Sequence, residues 1–360
     1  MQEKIYRYFA CANTSQGFVN QFSSVLQGMV RIFILKGGPG TGKSTLMRRV
    51  GESFAGRGET VEYIYCSSDS GSLDGVILRD RQTAIVDGTA PHVIEPAAPG
   101  ACEEYVNLGV CWDREKLVPY REEILGLSRQ ISREYQEIYQ ILSQAKEVHD
   151  RWEKVYLDNL DFAKLDEVTE SLKKIILDGF SPVLEKGKIT HRFLGALTPD
   201  GSVNYIDNLT EGLEKRYLIH GRPGTGKSTL MKRIAGAAEE RGLAVEMYHC
   251  SLDPNSLDMI ILREANICVV DATPPHEVFP EQERDIIVDL YAAAVKQGTD
   301  EDNCEILSLI KEEYARRIKE AQSHLARVGH LHDALEEYYI NAMDYKQLEQ
   351  IVEDLILTIE

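Results

Sequence analysis

The chain has 360 residues, 43% of them hydrophobic and 27% charged, a globular composition whose length suggests two domains. Its formal charge of -18 argues against nucleic acid and anionic membrane surfaces as partners, because the surface field repels both. Seven cysteines without a CxxC pair are typical of reduced cytosolic thiols and argue against a disulfide framework or a zinc site. No apolar run approaches the roughly 18 residues of a membrane span, so we expect a soluble cytoplasmic protein.

Nearly half of the chain is repeated. Lys227 follows Lys43 by 184 residues, and the lysines lie in GGPGTGKSTLM and GRPGTGKSTLM. On the same offset, RGETVEYIYCSSDSGSLDGVILRDRQTAIVDGTAPH aligns without a gap with RGLAVEMYHCSLDPNSLDMIILREANICVVDATPPH. Further on, HDRWEKVYLDNLDF aligns with HDALEEYYINAMDY. Two long copies indicate a domain duplication and exclude a solenoid, so we predict one unit at residues 1–185 and another at 186–360.

Each unit is predicted to begin with a β-hairpin, which the second copy writes as FLGALTPDGSVNYI around a Pro-Asp-Gly turn. A buried strand follows, RIFILKG or KRYLIHG, and then a glycine-rich loop and a helix that stops near Gly58 or Gly242. VEYIYC and TAIVD, with their second copies VEMYHC and ICVVD, complete a β-α-β-(α)-β series. Such alternation predicts parallel strands joined by crossover helices. YVNLGV and DIIVDLY are candidates for one more strand.

The last third of each unit is predicted to be helical, over residues 114–177 and 302–359. Ile131, Tyr135, Ile138 and Leu142 form an apolar stripe with helical spacing. We expect two long antiparallel helices in each segment. Three arrangements stay open: packing on the unit's own core, a lid over a ligand, or a protrusion that binds a partner protein.

The glycine-rich loops have the chemistry of phosphate binding. In GxxxxGK[ST] the glycines let backbone amides converge, and the following helix presents its positive end to an anion. Lys43 and Lys227 are placed to bridge the β- and γ-phosphates. The predicted nucleotide-binding residues are Gly37, Gly38, Pro39, Gly40, Thr41, Gly42, Lys43, Ser44 and Thr45 in the first copy, and Gly221, Arg222, Pro223, Gly224, Thr225, Gly226, Lys227, Ser228 and Thr229 in the second.

A magnesium ion at such a loop needs a hydroxyl and a carboxylate. Ser44 and Ser228 are the predicted hydroxyl ligands. Asp87 and Asp271 close the strands TAIVD and ICVVD, each 44 residues after its lysine, which is the position of a Walker B aspartate. The alternative for these aspartates is strand-end capping.

On these residues the chain resembles the P-loop NTPase superfamily, over roughly the first hundred residues of each unit. With DGTAPH and DATPPH after the third strand, it also resembles tandem P-loop ATPase-like bacterial proteins. The resemblance implies ATP and Mg²⁺ as ligands. It predicts an α/β protein with two P-loop NTPase domains, each a parallel sheet with an N-terminal β-hairpin and a C-terminal helical hairpin.

One departure from the superfamily concerns hydrolysis. Many hydrolytic members place a glutamate directly after the Walker B aspartate, whereas this chain has Gly88 or Ala272 there. Glu95 and Glu277 lie further on at non-equivalent positions, which puts fast intrinsic hydrolysis in doubt.

His92 and His276 are the candidates for orienting water or sensing the γ-phosphate, with an ordinary turn histidine as the alternative.

Two further matched pairs have open roles. Asp69 and Asp253 end the second strand, where small-molecule kinases that resemble this core hold an acceptor hydroxyl; an Asx turn is the alternative. Arg79 and Arg263 are candidates for arginine fingers or for ion pairs inside the unit.

We therefore predict a Mg²⁺-dependent ATP-binding protein with two sites, an ATPase or ATP-driven switch whose helical segments contact a partner. The lack of an Asn-Lys-x-Asp signature favours ATP over GTP. A small-molecule kinase and a nucleotide sensor without turnover are the alternatives. A protein partner and a second copy of the chain both stay open.

Overall fold

The structure is a computed structural model that describes residues 4–276, 278–280 and 283–360. It is an α/β protein whose element order in the first half, up to residue 185, recurs in the second. The first half contains β1 (Ile5–Phe9), β2 (Cys11–Thr14), β3 (Gly17–Asn20), α1 (Phe22–Val25), β4 (Arg31–Lys36), α2 (Lys43–Ala55), β5 (Val61–Tyr65), β6 (Leu73–Leu78), β7 (Thr83–Asp87), β8 (Glu103–Asn107), α3 (Arg114–Leu117), α4 (Arg121–Leu157) and α5 (Phe162–Ile176). The second half contains β9 (Ile189–Phe193), β10 (Gly195–Thr198), β11 (Gly201–Asn204), α6 (Ile206–Thr210), β12 (Lys215–His220), α7 (Lys227–Glu239), β13 (Val245–His249), β14 (Leu257–Leu262), β15 (Ile267–Asp271), β16 (Asp285–Asp289), α8 (Leu290–Ala294), α9 (Thr299–Asp302), α10 (Cys304–Ile340) and α11 (Tyr345–Ile359).

One sheet runs through both halves. Its twelve described strands follow the order β16-β12-β15-β14-β13-β9-β1-β5-β6-β7-β4-β8. Strands β1 and β9, which the sequence patterns did not predict, meet antiparallel at the centre, with Phe9 opposite Phe193. The two halves are therefore joined edge to edge by their first strands.

The prediction of purely parallel strands is wrong for β6 and β14. Strand β6 is antiparallel to both β5 and β7, and β14 is antiparallel to β13 and β15. Strand β4 pairs in parallel with β7 and β8, as β12 does with β15 and β16. All six residues of β6 are buried, and a short apolar run of this kind does not distinguish a buried strand from a helix. The crossover helix expected between the second and third predicted strands is thus a strand.

The predicted N-terminal hairpin is present in both halves. Strand β2 pairs antiparallel with β3, and β10 with β11. Gly17 and Gly201 lie in the turns with φ of 95° and 113°, a backbone conformation that glycine adopts without steric cost. The turn chemistry therefore explains where each hairpin reverses.

The helix after each glycine-rich loop packs on its own half of the sheet. Leu46, Val50 and Phe54 of α2 are buried in one cluster with β4 to β7. Helix α2 ends at Ala55, and the Gly58 amide donates to the Ala55 carbonyl at 2.7 Å. The glycine stop thus falls one turn beyond the last helical residue.

Helices α4 and α10 each have 37 residues and pack against each other. They run antiparallel, because Glu134 pairs with His324 whereas Arg151, further along α4, pairs with Glu313. Ile138 contributes to their shared apolar core, as the predicted stripe requires. Within the residues that the structure describes, no helix is long and apolar enough to cross a membrane.

The C-terminal helix of each segment packs on the opposite half. Leu348 and Leu355 of α11 belong to the apolar cluster of the first half, and Arg49 of α2 donates to Glu349 at 2.7 Å. Leu165 and Leu172 of α5 belong to the cluster of the second half. Packing of the helical pair on its own core is therefore wrong for α5 and α11. The long helices α4 and α10 carry α5 and α11 across the molecule.

Candidate functional site

Each glycine-rich loop connects the strand next to an edge strand of the sheet, β4 or β12, to the helix that follows it. In the first loop Gly40 and Gly42 have φ of 66° and 77°, and in the second Gly224 and Gly226 have φ of 78° and 88°. These values lie in the left-handed region, which residues with a Cβ rarely adopt. The backbone shape therefore requires glycine at the same two positions of both loops.

Threonine hydroxyls close both loops in the same way. Thr41 Oγ1 donates to the Gly38 carbonyl and Thr225 Oγ1 to the Arg222 carbonyl, each at 2.8 Å. A Cβ on Gly37 would lie 2.7 Å from Thr41 Oγ1, so the side chain at this position must be absent. The two loops thus share one internal structure.

The structure brings the predicted lysine and aspartate together in both halves. Lys43 Nζ lies 3.5 Å from Asp87 Oδ2, and Lys227 Nζ lies 3.5 Å from Asp271 Oδ2. Lys43 also donates to the Gly37 carbonyl at 3.0 Å. Strand β4 is parallel to β7, so their carboxyl ends meet at one edge of the sheet.

The predicted magnesium ligands are positioned by neighbouring backbone and side-chain groups. Ser44 Oγ accepts a hydrogen bond from the Leu73 amide at 3.0 Å, and Ser228 Oγ accepts one from the Leu257 amide at 2.9 Å. Asp87 Oδ1 accepts from the Thr89 amide at 2.8 Å. Thr273 makes the equivalent bond to Asp271 at 3.0 Å.

The other predicted phosphate-site residues lie on the loops or the first helical turns. They are Pro39 and Thr45 in the first half, and Gly221, Pro223 and Thr229 in the second. The two loops differ at one position: Arg222 pairs with Asp300 at 2.9 Å, where the first loop has Gly38.

His92 and His276 are buried and paired with carboxylates. His92 Nε2 lies 3.2 Å from Asp74 Oδ1, and His276 Nε2 lies 2.9 Å from Asp258 Oδ2. Burial opposes protonation, but the charge and hydrogen bond of Asp74 outweigh it and raise the pKa of His92. The charge and hydrogen bond of Asp258 raise the pKa of His276 against the same effect of burial. A carboxylate partner of His92 on β6 is thus a feature that sequence reasoning missed.

The remaining candidates have local partners. Asp69 accepts hydrogen bonds from the Gly71 amide and the Ser72 hydroxyl, and Asp253 accepts one from the Asn255 amide. These bonds form the Asx turns that were the alternative role.

Arg79 and Arg263 form ion pairs inside their own halves, and the Arg263 guanidinium also lies over the ring of Tyr6 in the first half. Arg79 Nη2 pairs with Glu62 at 2.8 Å, and Arg263 Nη2 pairs with Glu246 at 3.0 Å. Both side chains thus have the ion-pair role, and not the arginine-finger role, in the structure. Glu95 pairs with Lys36 at 3.6 Å, and Glu277 lies outside the described residues.

The opposite half contributes to each loop, which sequence reasoning did not predict. A Cβ on Gly42 would lie 2.7 Å from Leu348 of α11, and one on Gly226 would lie 2.5 Å from Leu165 of α5. The Gly40 amide donates to Glu336 Oε1 of α10 at 3.1 Å. Helices of the second half therefore contact the first loop, and helices of the first half contact the second.

The residues at these crossed contacts are matched in the repeat. HDRWE places His149 four residues before Glu153, and HDALE places His332 four residues before Glu336. Side chains with this spacing share one helix face, and the two pairs lie 3.7 and 3.6 Å apart. A titratable pair kept in both copies was the signal that could have identified them.

The electrostatic environments of the two pairs differ. The pKa of Glu336 is lowered, first by its hydrogen bond to His332 and then by the His332 charge, the Gly40 amide and Lys43. Burial raises the pKa of Glu153 and, with the Lys146 charge, lowers that of His149 to about 4. The surroundings of Glu336 therefore favour its ionised form beside the first loop.

Comparison with known proteins gives one partial similarity. A family model described as Nephrocystin 3, N-terminal, matches residues 14–77, from the end of β2 through the first loop to β6. Neither curated proteins nor solved structures gave a match. The similarity is thus confined to part of the first half.

Proposed function

We propose that the chain is a Mg²⁺-dependent ATP-binding protein of the P-loop NTPase type, with one nucleotide site at each glycine-rich loop. The observation that carries this proposal is the repeated set of left-handed glycines, lysine and strand-end aspartate. Both lysine-aspartate pairs have the same separation of 3.5 Å. One such loop can arise as a structural turn, but two equal sets at the carboxyl ends of equivalent strands favour a common ligand.

The residues present fit a phosphate chain and its metal. A Cβ on Gly37 or on Gly42 would meet a neighbouring side chain at 2.7 Å, so bare backbone amides line the loop, as an anion requires. Lys43 would hold the terminal phosphates, and Ser44 with Asp87 would hold Mg²⁺. The metal would neutralise phosphate charge that develops as the terminal bond breaks. Thr89 keeps the Asp87 carboxylate oriented for this purpose.

The helical connections favour an ATPase or ATP-driven switch. Each loop contacts helices from the opposite half, so a change at one loop is passed to α10 and α11, and a change at the other to α4 and α5. A switch needs differential contacts in its two states. The asymmetric pairs His332–Glu336 and His149–Glu153 supply groups that a nucleotide would affect directly. We further propose that the helical segments transmit this change to a protein partner.

The two alternatives have less support in the structure. A small-molecule kinase would use Asp69 or Asp253 as a base, yet both carboxylates accept turn hydrogen bonds, and Asp253 Oδ2 also lies 3.4 Å from Lys146. A sensor without turnover would keep the loops and lack hydrolysis, and a measurement of ADP release separates it from an ATPase.

The test is steady-state release of ADP from Mg²⁺-ATP, with binding measured separately by calorimetry. We expect Lys43→Ala and Lys227→Ala each to remove part of the turnover and the double variant to remove all of it. Loss of a single stabilising charge costs about a hundredfold in rate at its own site. Lys186→Ala, which removes an exposed lysine, should leave turnover unchanged.

Two results would contradict parts of this proposal. Tight ATP binding without ADP release would reject the hydrolase and leave the sensor or the kinase, which acceptor-dependent ADP release would identify. If ATP does not bind to the wild-type chain, the nucleotide sites themselves are rejected.

A further inference from the structure

The C-terminal end of α10 contacts the first glycine-rich loop. Glu336 Oε1 accepts the Gly40 amide hydrogen at 3.1 Å. The backbone is equally close, because a Cβ on Gly40 would lie 3.0 Å from the Glu336 carbonyl oxygen and 3.1 Å from Ile340. The helix and its carboxylate are therefore in direct contact with the loop.

The carboxylate is held there as an anion. His332 lies one turn earlier on α10, with its Nδ1 3.6 Å from Glu336 Oε1, and the positive charge of Lys43 also acts on Glu336. An anionic oxygen that accepts a loop amide hydrogen and lies near the loop lysine is the arrangement expected of a phosphate at such a loop. Glu336 thus offers the Gly40 amide an anionic oxygen of the kind that a phosphate group would offer.

We propose that Glu336 is an intramolecular competitor of the nucleotide at the first loop. The inference rests on the proposed function, since it concerns how that site is regulated. The Gly40 amide has one hydrogen, which it can donate to Glu336 or to a phosphate oxygen, and two anions in one small site repel each other. ATP must therefore displace the carboxylate, and the displacement moves the end of α10. Nucleotide binding at the first loop would in this way change the position of α10, a helix of the second half.

The glutamate at the second loop, Glu153, has different electrostatic surroundings from Glu336. A Cβ on Gly224 would lie 2.5 Å from the Glu153 carbonyl oxygen, so α4 approaches it as closely as α10 approaches the first. Burial raises the pKa of Glu153, and the charges of Asp150 and Asp253 oppose those of Lys146 and Lys227 around it. The competition is therefore assigned to Glu336, whose carboxylate accepts the hydrogen of a loop amide.

The experiment measures binding of the non-hydrolysable analogue Mg²⁺-AMPPNP by calorimetry to the full chain. Lys227→Ala serves as the background, so that only the first loop reports. Adding Glu336→Gln removes the charge with little change of shape, and we expect the Kd to fall about tenfold, the size of one charge-assisted hydrogen bond. Glu337→Gln removes the same charge from the next, exposed residue and should leave the Kd within about twofold.

A second readout is the emission of a tryptophan that lies between the first loop and α10. The chain has two tryptophans, and Trp112 lies 5.4 Å from the Tyr339 ring of α10 and close to Gly38. In a Trp152→Phe background, Mg²⁺-AMPPNP should change Trp112 emission. The change should saturate at lower nucleotide concentration when Glu336→Gln is added.

The outcomes separate the inference from the proposed function. If the Lys227→Ala chain binds AMPPNP and Glu336→Gln leaves the Kd equal or raises it, the competitor is rejected and the nucleotide site stands. Unchanged binding with lost ADP release would instead make Glu336 a catalytic residue and equally reject the competitor. If neither the wild type nor any Glu336 variant binds AMPPNP, the proposed function fails.

Discussion

Arg192 is a single residue that holds the centre of the molecule together. Its side chain is 5% exposed, and its guanidinium lies 3.5 Å from Glu62 and 3.7 Å from Glu246. The guanidinium also stacks on the ring of Tyr8, which is the residue that corresponds to Arg192 in the repeat. One cation therefore serves a carboxylate from each half, and the central site is asymmetric although the halves are duplicated.

Arg192→Met should destabilise the chain by about 2 kcal/mol, because Glu62 and Glu246 lose a buried cation between them and keep only Arg79 and Arg263 as partners. Urea unfolding measures this loss. Arg31→Met removes a half-exposed pair with Glu104 and should cost less than about 1 kcal/mol. Equal losses in the two variants would contradict the central role of Arg192.

The same site gives a pH dependence. Burial raises the pKa of Glu62, but Arg192 and Arg79 outweigh it and lower the pKa from 4.5 to about 2. A depressed carboxylate pKa stabilises the fold above pH 4.5, and this contribution is lost as the pH falls towards 2. The acid-induced loss of stability between these values should be shallower in Arg192→Met.

At the scale of elements, the exchange of α5 and α11 decides which core each helix completes. Both helices start behind an aspartate cap, Asp161 or Asp344, and bury one face. Since α11 is the last element of the second half and packs on α2 of the first, its apolar face stabilises the core of the other half.

Leu355→Ala should therefore weaken the first half from the far end of the chain. We expect a loss of about 2–5 kcal/mol, the cost of removing a buried leucine side chain, and faster amide exchange in α2 before α7. Leu357→Ala, on the same helix but 67% exposed, should change neither. Faster exchange confined to α7 would show that α11 does not pack as described.

At the scale of the whole molecule, each half is incomplete alone. The first half lacks α11 over its core, and its own α5 has no α7 to cover. The buried positions of α5 and α11 correspond in the repeat, with Leu165 matching Leu348 and Leu172 matching Leu355. A second first-half chain could thus supply the missing helix.

A fragment of residues 1–185 should form a homodimer by exchanging α5 between copies, because burial of that face favours association. Light scattering would give twice the fragment's mass. A fragment of residues 1–160, which lacks α5, should not dimerise. A stable, cooperatively unfolding monomer of 1–185 would contradict the exchange.

The sequence determined the local chemistry of this protein. Glycine spacing predicted the two loops, strand-end position predicted that Asp87 and Asp271 meet Lys43 and Lys227, and the apolar stripe containing Ile138 predicted a long helix. These features depend on neighbours in sequence or on the fixed geometry of parallel strands, so one chain is enough to infer them.

Tertiary structure alone decided how these parts combine. The pattern of β6 fits a buried strand or a helix, and the apolar face of α11 fits either half, because burial does not depend on which surface provides it. The direction of β6, the joining of β1 to β9 and the crossing of α5 and α11 follow from packing over the whole chain. The approach of Glu336 to Gly40 likewise spans 296 residues, and no local pattern encodes a contact at that separation.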